Sequence, residues 1–111
     1  MNCLFCSIVD GKIPASKVHE NDLVIAFDDI NPQAPTHVLV IPKAHFENAA
    51  ELAANDAHTL GELFTVAQNI AAERSLRGFR TVFNTGADAG QTVFHAHLHL
   101  LGGRSLTWPP G

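Results

Sequence analysis

The sequence predicts a small α+β domain with an antiparallel sheet of about five strands, one long helix and one short helix. The chain has 111 residues, which suits a single domain over residues 1–111. Hydrophobic residues make up 46% of the chain and charged residues 16%, which is enough apolar material for a core. Glycine and proline recur at short intervals, as is typical of short strands joined by turns.

Apolar runs between these turns predict the strands. In chain order they are a short edge strand around Val18, Leu23–Phe27 (LVIAF), His37–Ile41 (HVLVI) closed by Pro42, Phe79–Phe83 and Phe94–Leu101. The connections are mostly of hairpin length, so we expect antiparallel pairing with the helices packed on one face. An edge of such a sheet would be exposed in a single chain, and a homodimer would cover it.

One long helix is predicted between the third and fourth strands. Asn55 or Asp56 provides an N-cap. Apolar side chains then follow at helical spacing, namely Leu60, Leu63, Phe64, Ala67, Ile70 and Ala71. Arg74 and Arg77 lie near the predicted end of the helix, and Gly78 is the expected end. Phe46–Ala54 is interpreted as a turn or a short helix.

Charge and hydropathy exclude several classes of function. Seven basic residues stand against eleven acidic ones, a net charge of −4, and the basic residues are scattered along the sequence. No basic stripe is visible, so we expect no nucleic-acid partner. No apolar run reaches the length of a membrane span, so we expect no membrane partner. The N-terminus has no basic run ahead of a long apolar segment, so we expect a cytoplasmic protein.

The densest chemical signal is the segment His95-Ala96-His97-Leu98-His99-Leu100-Leu101. On a strand, its three histidines would share one face, roughly 7 Å apart, and the alternate apolar residues would face the core. Three imidazoles on a flat strand converge poorly on a metal without a ligand from elsewhere. A neutral imidazole can also attack phosphorus and form a covalent phosphoramidate intermediate. Phosphoryl chemistry is therefore the favoured interpretation, and a solvated polar face is the alternative.

The loop before this segment, residues 84–92, fits that interpretation. Gly86 and Gly90 permit a turn whose backbone amides point inward, and Asn84, Gln91 and Thr92 add polar side chains. Such a loop suits phosphate oxygens, although a plain hairpin connection is the alternative.

A second candidate site begins at the N-terminus. Cys3 and Cys6 form a C-x-x-C pair, which is half of a zinc site. The remaining ligands would have to be histidines, of which the chain has seven. Free thiols packed near the sheet are the alternative. His19 and His58 lie outside every motif and are interpreted as surface residues.

The full pattern resembles the histidine triad (HIT) family. Residues 95–101 fit the family motif of alternating histidines and apolar residues at every position, and residues 35–45 (PTHVLVIPKAH) resemble its other signature block. Three further segments are similar to the HINT branch, the purine nucleoside phosphoramidases: residues 29–35 (DINPQAP), 101–104 (LGGR) and 108–111 (WPPG).

This resemblance implies a homodimer whose two sheets join, and hydrolysis of a nucleoside monophosphate linked to an amine. The reaction would pass through an adenylyl-histidine intermediate, with ligands such as AMP or GMP. By motif position His97 is the nucleophile, His99 contacts the phosphate, and His37 and His95 support the imidazoles. No metal or organic cofactor is needed for this chemistry. A dinucleoside polyphosphate hydrolase on the same fold, or a nucleotide-binding regulatory or interaction module, are the alternatives.

The resemblance also assigns nucleotide-binding positions. The phosphate loop positions are Asn84, Gly90, Gln91, Thr92 and Val93, and the base and ribose positions are Phe5, Ile8, Phe27, Asp29 and Ile30. Asp29 would bind the ribose hydroxyls, and the apolar group suits a purine, although core packing is the alternative. Thr92 stands where the HINT branch usually has serine. Trp108 would shape substrate choice or dock the C-terminal tail at the dimer interface.

For the N-terminal pair, some HIT proteins bind a structural zinc ion with two added histidines. The matching set in this chain is Cys3, Cys6, His45 and His95.

Overall fold

The computed structural model describes residues 3–111 and has the predicted α+β architecture. Its elements in chain order are α1 (Leu4–Val9), β1 (Lys17–Glu20), β2 (Val24–Asp28), β3 (Thr36–Pro42), α2 (Ala49–Asn55), α3 (Ala57–Glu73), β4 (Phe79–Val82), a 3-10 turn (Ala87–Ala89) and β5 (Leu98–Gly102). The prediction of a five-stranded antiparallel sheet is confirmed. No helix in residues 3–111 combines the length and apolar character needed to cross a membrane.

The strand order is β1-β2-β3-β5-β4, which leaves β1 and β4 at the edges. Strand β3 lies at the centre and is buried along its whole length. In the register, His37 lies opposite Leu101, and His99 pairs with Leu39 on one side and Val82 on the other. The sheet therefore brings histidines from β3 and β5 together, although they are about sixty residues apart in the chain.

The two faces of the sheet carry different layers because alternate side chains point to opposite sides. One face packs on α2 and α3 through a core whose largest members are Val24, Val38, Val40, Leu52, Leu63, Val66, Ile70, Leu98 and Leu100. The other face packs on α1 through Phe5, Ile8, Ile25, Phe27, Leu39 and Ile41. Each such side chain contributes roughly 1.5–3 kcal/mol when it is fully buried. The α1 face is also the face on which the histidine rings lie.

Helix α3 begins as predicted and ends earlier than predicted. Asp56 is the N-cap, since its carboxylate accepts from the backbone N–H of Thr59 at 3.1 Å and from the Thr59 hydroxyl at 2.6 Å. The prediction that Gly78 ends the helix is wrong. Ser75 has a φ of 54°, and the amides of Ser75 and Leu76 bond back to Ala72 and Ala71. These two bonds form a Schellman motif that closes the helix after Glu73 without glycine.

Two short helices and one strand also differ in detail from the prediction. Helix α1 was not predicted, while α2 lies in the segment interpreted as a turn or short helix and ends one residue beyond it, at Asn55. The predicted strand Phe94–Leu101 is wrong over its first four residues, because β5 covers only Leu98–Gly102. The reason lies in the hydrogen bonds: the Ala96 amide donates to the Phe46 carbonyl at 2.7 Å, so this part of the backbone pairs with a loop.

Candidate active site

His97 stands immediately before β5 and its side chain is buried. Its Nδ1 lies 2.8 Å from the backbone carbonyl oxygen of His95. A carbonyl oxygen can only accept, so Nδ1 carries the proton and Nε2 keeps a free lone pair. Burial lowers the pKa of His97 below its ordinary value, against the opposing effect of the His95 carbonyl. At neutral pH the ring is therefore a neutral imidazole with a nucleophilic Nε2.

The proton positions on His37 and His99 follow from a chain of hydrogen bonds. The backbone N–H of Gln33 donates to His37 Nδ1 at 3.0 Å, so His37 carries its proton on Nε2. That N–H faces His99 Nδ1 at 2.9 Å and therefore donates to it. His99 in turn must carry its proton on Nε2. Within residues 3–111 this buried Nε2 has no hydrogen-bond partner, which leaves a donor available to a ligand.

Burial keeps these rings uncharged. It is the largest cause that lowers the pKa of His99 to about 4, and the neighbouring His97 and His37 add to the effect. The pKa of His37 is also lowered by burial, although Asp29 opposes this from 3.4 Å. The site thus presents neutral N–H dipoles, and a negatively charged ligand would be held by hydrogen bonds from them.

The row of three histidines is only partly as predicted. The rings of His97 and His99 lie 4.9 Å apart between centroids, closer than the expected 7 Å. His95 lies on the same face of the sheet but is turned toward the cysteines, with Cys3 Sγ 3.5 Å from its Nδ1. Its contribution to the site is the main-chain carbonyl that orients His97. Regular strand geometry would have placed all three rings alike, and the irregular backbone before β5 separates His95 from the other two.

The predicted phosphate loop forms a tight turn between β4 and β5. Gly86 and Gly90 have φ values of 89° and 96°, a region that strongly favours glycine. The buried Gln91 side chain accepts from the Gly86 amide at 2.9 Å and donates to the carbonyls of Glu47 and Val93. Its amide group is therefore used to brace the loop. Thr92 and Gly90 are exposed, while Asn84 and Val93 are half-buried.

The residues expected to bind the base and ribose do not form one group in the structure. Phe5, Ile8 and Phe27 are buried together, with the rings of Phe5 and Phe27 5.5 Å apart and edge-on, which is the core-packing alternative. The Phe5 ring also meets the His97 ring edge-on at 5.1 Å. Asp29 lies beside His37. Ile30 does not join the apolar group in this chain, because its side chain is fully exposed.

The tail residue Trp108 is also largely exposed, at 81%. Nothing within residues 3–111 of the same chain covers it, so its predicted role in substrate choice stays a prediction.

Cys3, Cys6, His45 and His95 converge as the zinc interpretation requires. Their ligand atoms all lie within 4.8 Å of one another. Three of the four sulfur-to-nitrogen distances are 3.4 to 3.6 Å, and the distance between the two Nδ1 atoms is 3.2 Å. Zinc bonds of about 2.3 Å to sulfur and about 2.0–2.1 Å to nitrogen predict tetrahedral edges of about 3.6 and 3.3 Å. The four atoms therefore fit a tetrahedral zinc ion.

The proton arrangement around this cluster agrees with that fit. His95 Nε2 lies 2.8 Å from the Pro42 carbonyl oxygen, so it carries the proton and leaves Nδ1 free to bind a metal. Without a cation, burial and the adjacent Cys3 raise the pKa of the Cys6 thiol to about 11. A pair of thiolates in this place would need a positive charge beside it.

Three groups that orient the histidines of the active site and of the candidate zinc cluster were missed by the sequence interpretation. They are the carbonyl of His95, the carbonyl of Pro42 and the amide of Gln33, all of them main-chain atoms. Residue type gives no signal for them, because every residue has a carbonyl and almost every residue has an amide.

The chain is similar to known proteins over nearly its whole length. The family described as "Scavenger mRNA decapping enzyme C-term binding" matches residues 2–107. An uncharacterized HIT-like protein of Synechococcus elongatus is 52% identical over 109 residues, covering 97% of this chain and 96% of that protein. A "14 kDa zinc-binding protein" of Zea mays is 45% identical over 111 residues, covering 97% of this chain and 87% of that protein.

The fold is shared with solved structures of similar length. A HIT family hydrolase from Legionella pneumophila is 48% identical and superposes with a TM-score of 0.94, covering 99% of this chain and all of that one. A HIT family hydrolase from Clostridium thermocellum is 42% identical with a TM-score of 0.91, covering 96% of this chain and 94% of that one. The chain therefore belongs to the histidine triad (HIT) family and has the fold of its hydrolases.

Proposed function

We propose that this protein is a nucleotide-binding hydrolase that cleaves the P–N bond of purine nucleoside 5'-monophosphoramidates. The observation that carries the proposal is the pairing of opposite proton states on two adjacent rings, of which His97 is buried and His99 is half-buried. His97 offers a free lone pair at Nε2, and His99 offers an unpartnered N–H at Nε2. A nucleophile beside a hydrogen-bond donor is the arrangement that attack on a phosphoryl group needs.

In the first step, His97 Nε2 attacks the α-phosphorus and the bond from phosphorus to the amine breaks. The amine leaves with a proton, and the nucleotide stays bonded to His97 as an adenylyl- or guanylyl-histidine. Water then attacks the same phosphorus, the bond to His97 breaks, and AMP or GMP is released. The N–H of His99 stabilises the charge that develops on the phosphoryl oxygens, and no metal or organic cofactor takes part.

The proposal assigns the remaining groups by their positions in the family motif. The loop of Asn84, Gly90, Gln91, Thr92 and Val93 surrounds the phosphate, with Gln91 acting as a brace. The apolar side chains of Phe5, Ile8 and Phe27 back the purine, with Ile30 at the rim, and Asp29 accepts from the ribose hydroxyls. Phe5 supports this assignment because its ring joins the apolar group to His97.

The test compares two substrate classes on the purified protein. We expect turnover of an adenosine 5'-phosphoramidate to exceed that of diadenosine polyphosphates. His97→Ala should abolish turnover, whereas His58→Ala, an exposed histidine on α3, should leave it unchanged. A preference for the polyphosphates would instead indicate a dinucleoside polyphosphate hydrolase. Tight nucleotide binding without any turnover would indicate a binding module.

We also propose that two chains form a homodimer in the cytoplasm by joining their sheets at the β4 edges. Phe64 on α3 and Phe79 on β4 are 43% and 40% exposed, and they line a shallow cavity of about 390 Å³ beside that edge. An exposed edge strand with flanking aromatic rings favours pairing with a second strand. The exposed Trp108 would then lie near the partner's site.

We further propose a structural Zn²⁺ ion at Cys3, Cys6, His45 and His95. The tetrahedral convergence of the four ligand atoms supports it, and the reducing cytoplasm would keep both thiols free. Metal analysis of the purified protein should find one zinc per chain. Cys3→Ser should lose it, and His19→Ala, a histidine outside the cluster, should keep it. Zinc contents near zero in the wild type and in both variants would contradict the proposal.

A further inference from the structure

A turn of two glycines and an arginine, Gly102–Arg104, begins at the last residue of β5 and packs on the loop of residues 29–35. A Cβ added at Gly103 would lie 2.9 Å from the Pro35 Cβ, and its φ of 93° disfavours other residues. A Cβ added at Gly102 would lie 2.7 Å from a methyl group of Leu76. Gly103 therefore allows a close approach to the loop at Pro35, whereas Gly102 lies against the Leu76 side chain.

Arg104 reaches from this turn to the same loop. Its Nη2 donates to the carbonyl oxygen of Gln33 at 2.9 Å, and its Nη1 donates to the carbonyl of Ser105 at 2.9 Å. The ion pairs described within residues 3–111 do not include Arg104. Its guanidinium thus holds main-chain carbonyls. One of these carbonyls belongs to Gln33, whose amide donates to His37.

Gln33 connects the arginine to the active site. Its carbonyl is held by Arg104, and its N–H donates to His37 Nδ1 at 3.0 Å. That bond places the His37 proton on Nε2, from where it is donated to His99 at 2.9 Å. If the Gln33 amide moved away, only the Asp29 carboxylate, 3.4 Å from His37 Nε2, would still favour a proton on Nε2, and His37 could also carry its proton on Nδ1. His99 would then donate from Nδ1 to His37 and present a lone pair at Nε2, which would repel a phosphoryl oxygen.

We infer that Arg104 is a positioning residue for the reaction: by holding Gln33, it fixes the proton positions of His37 and His99. The inference deepens the proposed function and rests on it for its catalytic consequence. The structural part, the link from Arg104 to the His37 tautomer, concerns the protein without substrate. It can therefore fail or succeed separately from the proposed reaction.

The first experiment reads the tautomer directly. Two-bond ¹H–¹⁵N spectra of histidine-labelled protein distinguish a protonated from an unprotonated ring nitrogen. In the wild type we expect His37 with Nδ1 unprotonated and Nε2 protonated. Arg104→Met should give a mixture of both tautomers. The control is Arg77→Met, which removes the same charge from the same arginine-lined cavity. No side-chain hydrogen bond or ion pair of Arg77 is described within residues 3–111, so its spectrum should match the wild type.

The second experiment measures turnover of an adenosine phosphoramidate by the same variants. A misplaced donor mainly raises the free energy of the transition state. We therefore expect kcat of Arg104→Met to fall about tenfold, while KM stays within about twofold of the wild-type value. Arg77→Met should keep both values. Arg104→Lys offers a single ammonium to the carbonyls, so both readouts should shift in the same direction, with kcat about threefold lower. If Arg104→Met does not fold, both measurements can be made on Arg104→Lys alone.

The inference is overturned if Arg104→Met and Arg104→Lys show the wild-type tautomer of His37 together with kcat values equal to that of Arg77→Met. A wild-type protein that leaves phosphoramidates intact would contradict the proposed function. The tautomer comparison would still decide whether Arg104 fixes the proton positions of His37 and His99.

Discussion

At the scale of single residues, His99 shows how a protein obtains a hydrogen-bond donor for an anion without a fixed positive charge. Its ring is neutral because burial and two neighbouring imidazoles disfavour the charged form. Its proton is on Nε2 because His37 donates to its Nδ1. The ring therefore presents a neutral donor to the site, and this avoids the cost of burying an imidazolium.

This arrangement predicts a pH dependence of stability. The pKa of His99 is about 4 in the folded protein, below its ordinary value of 6.5. Between these values the unfolded chain binds the proton and the folded protein does not, so acid favours unfolding. The stabilisation is complete above about pH 6.5 and is lost as the pH falls toward 4. Over this pH range, the free energy of unfolding of His99→Gln should fall by about 1–3 kcal/mol less than that of the wild type.

Denaturant titrations at several pH values, with zinc supplied throughout, measure this difference. His58→Gln is the control, because it replaces an exposed histidine that lies outside the active site. Parallel pH profiles for the wild type and His99→Gln would contradict the assignment of a lowered pKa to His99.

The residue scale also shows where inference from sequence stops. The types of the active-site residues follow from the motif, because alternating histidines have few structural explanations. The proton positions do not follow from it, since they depend on the amide of Gln33 and the carbonyl of His95. Gln91 illustrates the same limit: its place in the loop was predicted, while its use as an internal brace depends on Glu47, forty-four residues away.

At the scale of elements, α1 is the clearest case of a helix made by tertiary contacts. Six residues are too few to form a stable helix alone. The helix is capped by Cys3 Sγ, which accepts from the Cys6 amide at 3.4 Å, and it buries Phe5 and Ile8 against the sheet. Both cysteines also belong to the candidate zinc cluster. We therefore expect the stability of helix α1 to depend on the bound metal.

Metal removal tests this dependence by hydrogen exchange. Chelation, or the substitution Cys6→Ser, should speed exchange of the α1 amides, whose hydrogen bonds include Ser7 to Cys3 and Asp10 to Cys6. Amides in the middle of α3 serve as the internal control and should keep their protection. Unchanged exchange in α1 after complete loss of zinc would contradict a role of the metal in holding this helix.

The elements that the sequence predicted are those with regular apolar patterns. Strands β2 and β3 and helix α3 bury complete faces, so their periodicity is visible in one sequence. Helix α1 has no such pattern. The end of α3 was misplaced because Ser75 adopts a conformation that usually favours glycine. Residues 94–97 carry the alternation of a strand, but their main chain pairs with the loop at Phe46.

At the scale of the whole molecule, folding gathers charges that are scattered in the sequence. Four of the seven basic residues, Arg74, Arg77, Arg80 and Arg104, line one cavity of about 730 Å³ where α3 ends and β4 begins. Three of them bond to groups of the same chain: Arg74 to Thr36, Arg80 to Thr107 and Arg104 to Gln33. These arginines therefore fasten the turns at this end of the molecule.

The proposed dimer is the prediction that belongs to this scale. Light scattering after size exclusion should give about twice the 11.9 kDa mass of one chain. Thr81→Glu places a charge on the β4 edge, in the cavity that Phe64 and Phe79 also line, and should shift the protein toward the single-chain mass. His19→Glu, on the opposite edge strand β1, is the matched control and should leave the dimer intact. A wild type with the mass of one chain would contradict the proposal.

The most direct measurement of the central claim is capture of the covalent intermediate. An adenosine phosphoramidate labelled at phosphorus is mixed with the protein, quenched in alkali to preserve the P–N bond, and the peptides are mapped by mass spectrometry. The account predicts one nucleotide attached to the peptide of His97 and none in His97→Ala. Normal hydrolysis with no label on His97, or with the label on another residue, would contradict it.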